Sequence, residues 1–588
     1  FVTGRTGRLF IEFALTLAGT VLVSGFVALT LTPMMCAKLL RHDPNPGWIN
    51  RTIEASLVGL TSGYRFVVAW LLHLRGLWRW LLAIAVFAAI GVSLDHMWGT
   101  AKKELSPIED RGMIFTIFTG PEGASVGYTQ RYAQAIESLG GPLLPEADRI
   151  FVVAGNPTST QGSVVFRMVD WSQRERKVQD MVRVLQPRLQ SIPGVTAFAV
   201  APASLGQSPR ERPINFVILS SDTYENIQAT LQPMVAELQR FPGVTGVDTD
   251  LRLNKPEIKV SIDRDRAADS GVQVEAIGRT LETFLGGRQV TRFKKGGDQY
   301  DVIVQLEAGN RNNPQDISNM FMRGRNDAMV PLSSLVTITE TVTARELNHF
   351  GQRRAVTITA SLTPGTSLGE ALDFFEQAAR RHLKPGYAVD YNGQTREFKQ
   401  SSSTLFVTFI LALAFIYLVL AAQFESFIDP LIIILTVPLS MAGALWLLRE
   451  GGGTINVYSQ IGLITLVGLI TKHGILIVEF ANQLRDSGVS LIEATVEAAA
   501  MRLRPILMTT GAMVLGAVPL AYATGAGSES RMQIGLVIVG GMTFGTVLTL
   551  FVLPVVYSLL TRKRNLIAEP VASDHSAPQS PPTASAHG

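Results

Sequence analysis

An ammonium group lies in the middle of an apolar run: Lys472, within Val457–Phe480. At about 1.5 Å per residue that run, as a helix, is long enough to cross the roughly 30 Å hydrocarbon core of a bilayer. A lysine near the centre of such a helix costs at least about 2.5–3.5 kcal/mol, so it is expected to have a partner and a function. The natural partner is a carboxylate on another helix, and the pair would work as a proton relay. Helical geometry puts Thr465, Gly468, Lys472 and Glu479 on one face, where small residues admit a neighbouring helix. His473 stands one position off that face, a candidate for packing and hydrogen bonding or for the relay itself. The other apolar runs hold no Asp or Glu in their interiors, Asp95 lying only at the end of one. The chain thus offers half of a relay. It also begins at Phe1 with no signal peptide before its first span, which reads as the C-terminal part of a longer polypeptide.

The elements that must position Lys472 are further apolar runs at Phe13–Ala37, Trp80–Leu94, Ser401–Phe424, Pro430–Leu448, Pro505–Thr524 and Met532–Leu560. Trp80–Leu94 reaches spanning length only with its flanks up to Trp98. The sequence therefore predicts an α-helical membrane bundle of seven transmembrane helices. Lys38, Arg41, Arg51, Arg65, Arg75 and Arg79 outnumber Asp43 and Glu54 between the first two runs, and Arg485, Arg502, Arg504 and Arg562-Lys563-Arg564 mark later loops. The positive-inside rule makes these cytoplasmic and puts residues 99–400 outside, against the two charges Arg5 and Arg8. Apolar and basic residues at helical spacing in Asp43–Arg75 predict an amphipathic helix on the cytoplasmic face, or else a loop helix packed on the bundle. The tail from Asn565 is rich in Pro, Ser and Ala and is expected to be disordered.

Residues 99–400 must fold by burying a core, since the single cysteine, Cys36, excludes a disulfide framework. An octapeptide at Leu189–Thr196 recurs at Leu238–Thr245, each following a helical pattern and leading into a β-branched stretch. With strands at Met113–Phe118, Ile150–Val153, Val164–Val169 and Phe198–Val200, and helices at Thr129–Leu139 and Lys177–Leu189, this predicts a β-α-β-β-α-β, ferredoxin-like (split βαβ) unit. A second unit begins at Ile214–Leu219, Tyr224–Leu238 and Val247–Thr249. It finishes at Ala355–Leu362, Leu368–Arg380 and Ala388–Tyr391. An α/β insertion interrupts it, with strands at Tyr300–Gln305 and Leu335–Thr341 and a helix at Glu275–Leu285. The class is a membrane bundle with a large α+β insertion. No phosphate loop, metal-ligand spacing or Ser/His/Asp arrangement is present, so the sequence suggests neither an enzyme, nor a cofactor, nor a metal site. A net charge of +4 without a basic stripe of interleaved aromatics gives no reason to expect nucleic acid.

Gly462–Asn482 resembles the tenth transmembrane helix of the resistance–nodulation–division (RND) transporters, in their hydrophobe/amphiphile multidrug efflux branch. Arg502–Thr510 resembles the start of that family's eleventh helix, Gly525–Ser528 and Gly540–Met542 its continuation, and Ala28–Ala37 its sixth. The resemblance is collinear from Phe1 to about Arg562. It implies the sixth helix (1–40), a cytoplasmic segment (41–75), the seventh helix (76–98), a first porter subdomain (99–210), a second in two parts (211–259 and 346–398) around a docking-like insertion (260–345), the eighth to twelfth helices (399–562) and a tail (563–588). Five helices, the first periplasmic half and the carboxylate pair of the fourth helix would be missing.

The resemblance further implies a proton relay of Lys472, Arg502 and Thr509, with Arg504 and Thr510 as competitors and a membrane-anchor role open for the arginines. It implies substrate-binding aromatics at Phe151 and Phe166, flanking a switch loop at Gly155, Asn156, Pro157, Thr158 and Gly162. That loop is shorter than in the best-known drug pumps and lacks phenylalanine, which questions the substrate range. The function implied is the permease subunit of a proton-motive-force-driven drug/proton antiporter in the bacterial inner membrane. It would export amphiphilic compounds as a homotrimer with a periplasmic adaptor and an outer-membrane channel. The alternatives are a Cu(I)/Ag(I) exporter, for which Met113 and Met168 form no convincing methionine path, a non-transporting scaffold or receptor, and an inactive fragment.

Overall fold

A computed structural model of the chain describes residues 4–39, 48–202, 205, 211–363 and 365–561. The tail from Asn565, Arg562-Lys563-Arg564, Arg41 and Asp43 lie outside the described residues. Three long helices come first: α1 (Gly4–Leu39), α2 (Trp48–His73) and α3 (Gly76–Thr100). A first soluble unit follows as β1 (Met113–Thr119), α4 (Val126–Leu143), β2 (Ala147–Ala154), β3 (Gln161–Met168), α5 (Val178–Gln190) and β4 (Thr196–Val200). A second opens with β5 (Ile214–Ser220), α6 (Tyr224–Arg240) and β6 (Val244–Thr249). It is interrupted by β7 (Lys255–Ile262), α7 (Arg264–Asp269), α8 (Val274–Leu281), β8 (Arg288–Lys295), β9 (Asp298–Val304), β10 (Phe321–Arg323), β11 (Met329–Pro331) and β12 (Val336–Thr343). It resumes with β13 (His349–Phe350), β14 (Arg353–Leu362), α9 (Leu368–His382) and β15 (Ala388–Tyr391). The chain returns through α10 (Gly393–Phe424), α11 (Ile428–Ile434), α12 (Thr436–Glu450), α13 (Val457–Asp486), α14 (Leu491–Ala521) and α15 (Ser528–Leu560).

Among the described residues eight helices are long and apolar enough to cross a membrane, α11 and α12 together making one. Seven were expected; the additional one is α2. Its Tyr64, Val68 and Leu72, one helical turn apart, are buried. Tyr64 donates to the Leu550 carbonyl at 2.7 Å and Arg65 pairs with Glu497 at 2.6 Å, so α2 packs on the start of α14 and the end of α15. α1, by contrast, is exposed from Ile11 onward, Phe13 excepted.

The first sheet has the order β2-β3-β1-β4, all antiparallel. Period-2 alternation in β1 buries Ile114, Thr116 and Phe118, which with Val164 and Phe166 face Ile136, Met181 and Leu185 of α4 and α5. In the second sheet β14 pairs with β5 on one side and with β6 and β13 on the other, and β15 borders β5. The repeated octapeptides mark one helix–turn–strand step at two different places, α5 to β4 and α6 to β6. The insertion holds β7 paired with β12 and an exposed hairpin, β8–β9.

The soluble region is stitched to the bundle by backbone. The Glu104 amide donates to the Ile455 carbonyl (3.1 Å), Ile455 to Lys102 (2.8 Å), Val457 to Leu105 (3.2 Å) and Gly369 to Lys103 (3.0 Å). Asp110 then fixes the first unit. Arg174 donates twice to its carboxylate (2.8 and 2.6 Å), and the Gly112 and Val178 amides once each (3.0 Å). Burial pushes this carboxyl up, but Arg174 and the two amides prevail and hold it below the ordinary 3.8. A carboxyl held low in the fold stabilises it above the unfolded-state pKa, and the contribution is lost as pH falls through the folded one. Melting temperature should therefore decline on acidification below about pH 3.8. Asp110→Asn should lower it at neutral pH and flatten that acid limb; an unchanged limb would refute the assignment.

Within the bundle α12 and α15 meet through glycines. A Cβ on Gly443 would stand 2.8 Å from the Gly540 carbonyl oxygen, and one on Gly540 would stand 2.6 Å from that of Gly443. Overpacking of this kind costs about 1–3 kcal/mol. Gly443→Ala should accordingly lower the melting temperature in detergent, whereas Gly91→Ala, where nothing lies within 4 Å, should not.

Candidate functional site

The two faces of α13 differ. Leu463, Leu466, Ile470, Gly474, Ile477 and Ala481 are buried in the bundle, while Thr465 and Lys472 are half-buried and Gly468 and Glu479 exposed. The four residues assigned to one face do share one, and it is open. Nothing would meet a Cβ on Gly468 within 4 Å. Lys472 Nζ lies 3.3 Å from Met513 Sδ of α14, and among the described residues no carboxylate stands within ion-pair distance of it. Arg502, on α14, lies over the Phe480 ring at 4.5 Å, with its Nε buried and without a hydrogen-bond partner. Thr509 donates to its own helix at Ile506 (3.1 Å), Thr465 does so at Ile461 (2.9 Å), and Glu479 accepts from Gln483 (3.1 Å). Lys472 of α13 and Arg502 of α14 thus each reach across to the other helix. Arg504 is exposed.

On the packed side of α13 lies a polar cluster around His473. His473 is buried, its Nε2 3.0 Å from Thr510 Oγ1, which is 3.3 Å from Thr546 Oγ1 of α15. Three helices are joined there by hydrogen bonds. Thr510 therefore belongs to the packed side and points away from Lys472. A second cluster sits nearer the helix end: Asn482 donates to Asp429 (3.1 Å) and accepts from Tyr557 (2.6 Å), whose hydroxyl accepts from Arg485 (3.3 Å). The isolated Asp429 at the mouth of an apolar run was the available signal.

In the first soluble unit the two expected aromatics part company. Ile150, not Phe151, is the partner of Phe166 across β2 and β3, so Phe151 and Phe166 point to opposite faces of the sheet. Phe166 is fully buried in the core, where Gly140 leaves room for its ring, and it lines no pocket with Phe151, which is 66% exposed. The open face carries one row of Phe151, Val165, Phe115 and Val200 and a second of Val153, Ser163, Ile117 and Phe198. The loop is also shorter than expected, because Gly162 is a buried residue of β3, packed under Phe118. Gly155 takes a positive φ (75°) and its amide closes the loop on the Gln161 carbonyl at 2.8 Å. The Asn156–Pro157 bond is cis, and Thr158 bonds Thr160 (3.1 Å) and Arg345 of the second unit (3.4 Å).

These positions separate in stability. Phe166→Ala should cost about 3–5 kcal/mol, as for a buried ring, and Phe151→Ala within about 0.5 kcal/mol. Thermal denaturation of the two variants side by side checks this; equal losses would contradict the register.

The fold and the site define a multi-pass membrane protein whose soluble domains interrupt its helical bundle. A family model described as the AcrB/AcrD/AcrF family matches residues 1–561, and the chain belongs to that family, the RND permeases. It is 38% identical over 562 residues to an uncharacterized transporter of Haemophilus influenzae, covering 94% of this chain and 54% of that protein. It is 30% identical over 574 residues to the multidrug resistance protein MdtC of Edwardsiella ictaluri, covering 96% and 55%. The chain spans about half the length of the curated relatives it matches.

Proposed function

We propose that this chain is the C-terminal half of a proton-driven exporter of amphiphilic compounds, a drug/proton antiporter of the bacterial inner membrane. The observation that carries the reading is Lys472: a half-buried ammonium on the open face of a spanning helix, with a thioether as its hydrogen-bond partner and no carboxylate within ion-pair distance among the described residues. In the complete transporter a carboxylate from the other half would pack on that face. Ionised, it would hold Lys472; protonated, it would release it, and the two states would favour different helix arrangements. Arg502 and Thr509 would lie along the same proton path. His473 and Thr510 serve packing in this reading, because their hydrogen bonds are mutual and on the buried side.

The remaining assignments follow the same reading. α2 lies along the cytoplasmic end of the bundle as an amphipathic helix, since its buried stripe meets helix ends, which leaves seven spans. The two sheet units, both in the strand order of a ferredoxin-like fold, act as porter subdomains. The insertion with its exposed β8–β9 hairpin serves docking to an outer-membrane channel, within a homotrimer served by a periplasmic adaptor. Phe151, on the open sheet face, contacts substrate. The short loop from Gly155 to Thr160, without an aromatic, narrows the substrate range.

Replacing Lys472 by alanine in the complete transporter should abolish export while leaving membrane insertion and protein level unchanged. Resistance and dye efflux, compared at equal expression, measure it. Resistance equal to that of the unaltered transporter would defeat the proposal.

A further inference from the structure

The first turns of α3 meet the end of α15 around a cavity of about 350 Å³. Its walls are apolar, formed among others by Trp80, Ile84 and Phe87 of α3, Leu435 between α11 and α12, and Val556 and Leu559 of α15. The cavity follows α3 from Trp80 to Ala88, about 12 Å along the helix. From Trp80 to Trp98 the same helix rises about 27 Å, close to the hydrocarbon thickness of a bilayer, and tryptophan favours both boundaries of that layer. Trp80 therefore marks the head-group level, and the cavity runs from there into the acyl layer.

Two arginines stand at that level. Arg79 donates from Nη1 to Ser558 Oγ of α15 at 3.2 Å, and its buried Nε has no hydrogen-bond partner among the described residues. A Cβ on Gly76 would lie 4.0 Å from Arg79 Nη2, so the guanidinium turns back toward the start of α3, where Arg75 holds the N-cap position. Arg65 of α2 is neutralised by Glu497 at 2.6 Å, whereas among the described residues no carboxylate lies within ion-pair distance of Arg75 or Arg79. Cations above an apolar slot fit a ligand whose acid group and hydrocarbon chain join at the membrane boundary. A guanidinium offers a fork of donors to two phosphate oxygens. With no carboxylate beside it to receive the ammonium of a zwitterionic head, charge favours a head of net negative charge. We propose that this cavity binds one anionic phospholipid, its phosphate held by Arg79 with Arg75 beside it and one acyl chain laid along Trp80, Ile84 and Phe87. The inference requires only that the chain is embedded in a membrane, and it stands or falls independently of export.

Quenching of Trp80 by lipids with brominated chains reads the site directly. Its fluorescence is taken as the difference between the complete transporter and its Trp80→Phe variant, each reconstituted in dioleoyl phosphatidylcholine vesicles. Brominated phosphatidylglycerol should occupy the site about tenfold more tightly than brominated phosphatidylcholine, as one charge-assisted interaction gives. Arg79→Gln should remove that preference, and Arg79→Lys should keep most of it. Quenching by brominated phosphatidylcholine should stay the same in both variants, which shows that the surroundings of Trp80 are intact. Ala88→Phe, which fills the cavity from an exposed position, should reduce the preference with Arg79 in place. Millimolar inorganic phosphate should not reduce it. Equal quenching by the two lipids in the unaltered protein, or a preference that survives Arg79→Gln, overturns the proposal. So does a preference that survives Ala88→Phe, which would leave the chain no part in binding, or one abolished by phosphate, which would make this a site for free anions.

Discussion

The desolvation of one ammonium governs how the membrane part is built. Lys472 sits at mid-span on α13, and the rest of that helix is arranged so that one side can be committed and the other left open. The committed side is packed by Leu466, Ile470 and Ile477 and pinned by His473 to Thr510 and Thr546. The open side carries Thr465, Gly468 and Glu479 with little volume between them. A helix held firmly on one face presents its cation in a fixed position on the other. Were α13 free to rotate, Lys472 could find water and its cost would vanish.

The same division between a fixed and an open face recurs in the soluble region, where strand register replaces helix periodicity. α4 and α5 cover one face of the first sheet and leave the other to Phe151, Phe115 and Phe198. A register shift of one residue would exchange Phe151 for Ile150 and place Phe166 outside. The core ring and the surface ring are the same residue type on paired strands, and only the pairing tells them apart.

Much of this was legible in the residues. The strands and helices of both soluble units were anticipated within a few residues, because alternation in β1 and helical spacing in α6 are strong local patterns. Lys472 was legible because its placement is costly. What escaped depends on contacts between distant segments. The role of Phe166 required the β2–β3 register. The His473 cluster required three helices to converge on threonines that ordinarily satisfy themselves against their own backbone. The spanning-length pattern of α2 was read as amphipathic; the structure adds the buried stripe from Tyr64 to Leu72 that gives that pattern its direction.

The two soluble units share one linkage to the bundle and differ in another. The segment from Lys102 to Leu105, bonded edge to edge with the entry of α13, serves the second unit too, since Gly369 of α9 donates to Lys103 and Leu105 packs in that unit's core; the first unit also grips the start of α15 through Glu109 with Ser530 and Lys177 with Glu529 (3.5 Å). The second is continuous with α10, a single helix of 32 residues, roughly 48 Å long. Its first turn is bound into β5 by the Thr395 hydroxyl, which accepts from the Asn215 amide at 2.9 Å. α10 therefore carries the second unit on a backbone continuous with the bundle, whereas the first unit meets α15 through side chains.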